Sequence, residues 1–136
     1  MKETLSLYIS GQVKLLKDGI LILDHHNDIQ TSAKDIIRRA IGSSSRRINK
    51  IIIYNNSTAL ASSSILINQV NYPTPNTVRF RATFPPESFE GNFNRLDLIS
   101  DTGSSETEFS IISFDTLNKT LENSLVIDWI LSIVLN

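Results

Sequence analysis

The closing segment Leu125-Val126-Ile127-Asp128-Trp129-Ile130-Leu131-Ser132-Ile133-Val134-Leu135 constrains the fold more than any other part of the chain. Its odd-numbered positions are all apolar, a period of two that belongs to a strand with one face in a core. The even-numbered side carries Val126, Ile130 and Val134 beside Asp128 and Ser132. That side is too apolar for full exposure. Such a strand sits inside a layered β-structure, and its second side needs a cover, either from this domain or from another chain.

The remaining pattern agrees. Val78, Phe80, Ala82 and Phe84 alternate with Arg79, Arg81 and Thr83, and Pro85-Pro86 stops that run. Leu5, Leu7 and Ile9 alternate with polar partners, with Gly11 expected to end the strand or bulge it. Asp18-Gly19 between Val13–Lys17 and Ile20–Leu23 predicts a type I′ hairpin, whose central residues both need positive φ. Further strands are expected over Ile48–Tyr54, from Ile65, over Phe93–Leu98 and over Phe109–Phe114. Polar loops are expected at Asp24–Asp28, Ser43–Arg47 and Asp115–Asn123, with Ala59–Ser64 showing no period. Ala33, Ile36, Ile37, Ala40 and Ile41 form an apolar stripe at helical spacing, so one short helix is expected over about residues 33–41. Ser32 precedes it as a cap and Gly42 follows as a stop. The expected fold is mainly β: a β-sandwich or distorted barrel of about eight strands with that one helix, in a single domain over 1–136.

Composition narrows the chemistry. The 136 residues include 19 Ile, 18 Ser and 12 Asn, a balance that favours strands and turns. With 40% hydrophobic residues the chain can bury a core. No cysteine is present, which excludes disulfides, thiolate metal sites and a cysteine nucleophile. A net charge of −1 argues against nucleic acid as a partner. No apolar run reaches the roughly 18 residues of a membrane span, and the opening residues lack a secretory h-region.

Catalytic constellations are weak. His25 and His26 are the only histidines, flanked by Asp24 and Asp28. One histidine with the two carboxylates is a conceivable metal set, but adjacent histidines in a polar stretch more often face solvent. Serines are plentiful, yet no Gly-x-Ser-x-Gly elbow and no phosphate-binding glycine loop occurs. The chain therefore reads as non-enzymatic, with no cofactor and no metal.

Two candidate interfaces remain. Arg38, Arg39, Arg46 and Arg47 cluster with Lys50 around the end of the expected helix. They fit a phosphate or an acidic partner, or a solvated helix end. Val126, Asp128 and Ile130 form the second candidate, with Asp128 expected at a rim or paired with a cation.

Three stretches carry a resemblance. They are Gly19–Leu23 followed by Thr31–Gly42 and Ile48–Tyr54; Val78–Phe84 followed by Phe89–Leu98; and Lys119-Thr120 leading into Leu125–Leu131 with Trp129. Their order resembles small virion structural proteins of tailed bacteriophages, associated with tails, necks or fibre attachment. The resemblance implies a β-rich module without catalytic residues, made in the bacterial host cytoplasm and carried in the virion. Its implied partners are other virion proteins and copies of itself. The alternative from another class is a β-sandwich that binds carbohydrate or another ligand through Tyr54 and Tyr72.

Overall fold

Side chains that alternate in type along the sequence alternate in burial along the strands. The computed structural model of the chain describes residues 7–29, 36, 37, 40 and 47–135. Its strands are β1 (Leu7–Lys17), β2 (Ile20–Ile29), β3 (Lys50–Asn55), β4 (Thr58–Ser64), β5 (Val70–Asn71), β6 (Thr77–Phe84), β7 (Gly91–Asp101), β8 (Glu106–Lys119) and β9 (Leu125–Leu135). Every neighbouring pair is antiparallel, in the order β4-β3-β7-β8-β2-β1-β9-β6-β5. The order divides into a five-stranded sheet, β5-β6-β9-β1-β2, and a four-stranded sheet, β4-β3-β7-β8. Strand β2 belongs to both. Its residues up to Asn27 pair with β1, while Asp28 and Ile29 pair with Ile111 and Ser110 of β8.

One core fills the space between the sheets. Val13, Leu15, Phe80, Ala82, Phe84, Leu125, Ile127, Trp129 and Leu131 come from the five-stranded side. Ile51, Ile53, Phe93, Leu96, Leu98, Phe109 and Ile112 come from the other. Phe84, Phe89, Phe93 and Phe114 form an edge-to-face chain with centroids 6.0, 5.9 and 5.9 Å apart, the geometry that ring quadrupoles favour. The mainly β, sandwich-like architecture follows the sequence pattern, and β6 and β9 match it residue for residue.

The hairpin between β1 and β2 has positive φ at Asp18 (52°) and Gly19 (81°), as a type I′ turn requires. Asp18 also ties the hairpin tip to the start of β9. Its carboxylate accepts from Ser124 N (2.9 Å) and Asn123 Nδ2 (2.7 Å). The backbone bond from Ser124, then that of Asn123, hold the Asp18 carboxyl below its usual pKa.

The described residues form nine strands, in keeping with the expected number of about eight. Several other expectations are corrected. Gly11 does not end β1, which runs through it with Gly11 paired to Leu131 and Asn27. Asp24–Asp28 is strand, not loop: Asp24, His25 and His26 are exposed, and Gln12 Nε2 donates to Asp24 Oδ1 at 2.7 Å. Thr58–Ser64 is an edge strand whose small residues give no period. Ile65–Ile67 starts no strand. Ile65 is core, and Ile67–Gln69 is a 3-10 turn held by Gln69 Oε1 accepting from Leu66 N. Of the helix expected over 33–41, Ile36, Ile37 and Ala40 have helical backbone, with Ile36 buried; its other residues lie outside those described.

The polar stretch 115–119 is likewise the end of β8, not a loop. It finishes on Lys119, buried to 1% exposure. The ammonium donates to the carbonyls of Pro86 (2.6 Å), Phe89 (2.8 Å) and Thr120 (3.0 Å), and lies 4.8 Å from the Phe89 ring centre. Burial pushes its pKa down, while the three carbonyls satisfy all its donors. Lys119 thereby ties the turn after β6 to the end of β8.

Candidate assembly face

The outer side of the five-stranded sheet is set by register. Because Val13, Leu15, Ile127, Trp129 and Ala82 point inward, their neighbours along each strand point outward. Lys14 lies opposite Asp24 on one side and Asp128 on the other, and Asp128 lies opposite Arg81. Four strands thus carry one transverse row, Asp24–Lys14–Asp128–Arg81, in which charge alternates − + − +. Asp128 is 6% exposed. Arg81 grips it with both arms, Nε to Oδ1 at 2.7 Å and Nη2 to Oδ2 at 2.8 Å. That planar fork fits a carboxylate bidentately, and the hydrogen bonds to Asp128 raise the Arg81 pKa above its usual value.

Apolar groups flank the charged row. On one side Leu16 faces Val126, both half-buried, with Leu21 beyond them exposed. On the other side Ile130 stands between Gln12 and Arg79. Further along, Val134 pairs with Tyr8 and both are exposed. Arg79 Nε and Asn71 Oδ1, on facing residues of β6 and β5, are buried without a hydrogen-bond partner. Val126, Asp128 and Ile130 therefore share one outward side, with Asp128 held by a cation. Which cation it is could not be read from the chain, because the partner is fixed by the β6–β9 register.

The outer side of the four-stranded sheet differs. Ile52, Asp97 and Ile99 point outward there, yet are 6%, 0% and 2% exposed. Long side chains stand in the same and the adjacent rows. Arg95 binds Asp97 through Nε (2.8 Å) and Nη2 (2.7 Å), lies 4.5 Å above the Tyr54 ring, and reaches to 3.8 Å from Glu108. Lys50 bridges Asp101 (3.3 Å) and Glu106 (2.8 Å). Neither this ladder nor the buried Asp97 was foreseen; the Arg-x-Asp spacing on one strand face was the available signal.

The other candidates separate. Arg38, Arg39 and Arg46 lie outside the described residues. Arg47 is exposed and donates through Nη2 to the Ile65 carbonyl at 3.1 Å. Tyr54 is covered by Arg95, whereas Tyr72 is 75% exposed beside a depression of about 410 Å³ lined by Ile67, Val70, Val78 and Phe80. The two tyrosines do not form one aromatic platform. His25 and His26 fall opposite Val13 and Gln12, so they point to opposite sides of β2, and His25 Nδ1 bonds the His26 carbonyl. Among the described residues no three His, Asp or Glu side chains gather to hold a metal. No described helix is long and apolar enough to cross a membrane.

No family model, curated protein or solved structure matches this chain.

Proposed function

We propose that this chain is a non-enzymatic structural subunit of a tailed-phage virion, associated with the tail, neck or fibre attachment, that works by assembly with copies of itself and other virion proteins. The observation that carries the assembly role is the set of half-open apolar residues Leu16, Val126 and Ile130, which flank the charged row at the centre of the five-stranded sheet. Central strands of a folded sheet do not slip or fray, so they present a fixed surface. Covering these residues from another chain removes methyl groups from water at about 25 cal/mol per Å². The virion assignment rests on the family resemblance of the three sequence stretches.

The test is the double variant Val126→Thr, Ile130→Thr, measured by sedimentation and by thermal melting. Loss of association with an unchanged melt supports the proposal. A lowered melt in a protein that is monomeric throughout overturns it. Co-purification of the chain with intact particles tests the virion assignment. Exposed Tyr72 and its adjoining depression favour a second reading, a carbohydrate- or ligand-binding sandwich, which a glycan screen of the parent against Tyr72→Ala separates.

A further inference from the structure

The charged row on the five-stranded sheet has a symmetry that the flanking apolar residues lack. Read across the strands it is Asp24, Lys14, Asp128, Arg81, and reversing its direction inverts every sign. Two identical rows can face each other in two ways about a two-fold axis lying in the interface. An axis along the row sets each residue on its own copy, so aspartate meets aspartate and cation meets cation. An axis parallel to the strands, between β1 and β9, reverses the row. Asp24 then meets the second copy's Arg81, and Lys14 meets its Asp128.

We propose that the outer face of the five-stranded sheet docks on the same face of a second copy about a two-fold axis parallel to β1 and β9, with the Asp24–Lys14–Asp128–Arg81 row setting the orientation. This rests on the assembly role proposed above and names its partner and register. The same operation lays Leu16 over the second copy's Val126. Sheets pack face to face about 10 Å apart and about 30° from aligned. The row is about 14 Å long, so that rotation moves its ends by less than one strand spacing. Apolar burial supplies the attraction. The charges choose between orientations, which is what complementary charges at an interface do best. Asp24 and Arg81 are both exposed at the row's ends; Asp24 already accepts from Gln12 and Arg81 already binds Asp128, so the contact across the axis adds a further partner to each.

A charge exchange measured by sedimentation equilibrium at low salt tests this. Asp24→Arg alone sets Arg against Arg81 twice per dimer, and the dimer is expected to weaken about tenfold or more. Arg81→Asp alone sets Asp against Asp24 twice. Mixing the two variants restores opposite charges at both contacts, so a heterodimer close to parental affinity is expected. Added salt should weaken the parent dimer and strengthen Asp24→Arg. If Arg81→Asp does not fold, the salt response of Asp24→Arg decides alone. A parental dimer constant for Asp24→Arg overturns the orientation, as does a mixture of folded variants that gains nothing. If the Val126→Thr, Ile130→Thr variant loses association while the charge variants keep it, the assembly role stands and this register falls. A parent that is monomeric at all concentrations removes both.

Discussion

The two outer faces of the sandwich solve one problem in opposite ways. On the four-stranded side, an aspartate and two isoleucines that point away from the core are buried, with Arg95 bound to Asp97 and stacked on Tyr54 and Lys50 paired with Asp101. On the five-stranded side, Leu16, Val126 and Ile130 stay half-covered, and Arg81 folds down only over Asp128. Outward apolar residues alone thus do not make an interface. What distinguishes the faces is where the long side chains of the adjacent row go: beside Ile52, Arg95 binds Asp97 and stacks on Tyr54, whereas beside Val126 Arg81 turns onto Asp128 and Val126 stays half-covered.

The contrast breaks most visibly at the two Arg–Asp pairs. Arg95→Ala leaves Asp97, with no exposed surface, as an unpaired carboxylate on the closed face. A loss of about 3–5 kcal/mol in urea unfolding is expected. Replacing both partners, Arg95→Met with Asp97→Leu, should recover most of that loss, because an apolar pair carries no desolvation cost. Arg81→Ala on the open face should cost less, about 1 kcal/mol, since Arg81 is itself 45% exposed and its removal admits water to Asp128. Equal losses at the two sites would show that both faces are closed.

A smaller effect sharpens the contrast at alkaline pH. Burial, then the charge of Asp97, pushes the Tyr54 phenol above its ordinary value of 10.0, with Arg95 acting against them. The folded chain therefore holds that proton longer than the unfolded chain does. Its contribution is complete below pH 10 and is lost as pH rises through the folded value. The parent should lose stability in that window more steeply than Tyr54→Phe. Identical slopes for the two proteins in alkaline urea melts would mean that Arg95 and Tyr54 leave the closed face open to water.

Much of the fold was legible because alternation and turn chemistry are local. Val78–Phe84 and Leu125–Leu135 announce their strands through period two, and Asp18-Gly19 announces its hairpin through positive φ. The missed strands share a cause. Thr58–Ser64 lies at a sheet edge, and Asp24–Asp28 lies where β2 leaves one sheet for the other. Neither place demands apolar side chains, so neither leaves a pattern. Ile65–Ile67 erred the other way: only Ile65 reaches the core, and the apolar residues after it stay exposed. At the candidate face, Val126, Asp128 and Ile130 could be placed on one side from the sequence. Arg81, Lys14 and Asp24 could not, since pairing residues so far apart in the chain depends on strand order.

The shared strand β2 has a mechanical consequence. Within the five-stranded sheet, β1 and β9 are registered along their whole length, from Leu7 with Leu135 to Lys17 with Leu125. A pull along those strands must shear every ladder bond at once. Among the described residues the backbone pairing between the sheets is far shorter, the pairs Asp28–Ile111 and Ile29–Ser110. A load that draws the two layers apart would open those pairs one after the other, like a zip. Backbone pairing thus resists load most along the strands and least at the corner where β2 changes sheets, so under tension the shared core is what holds the two layers together.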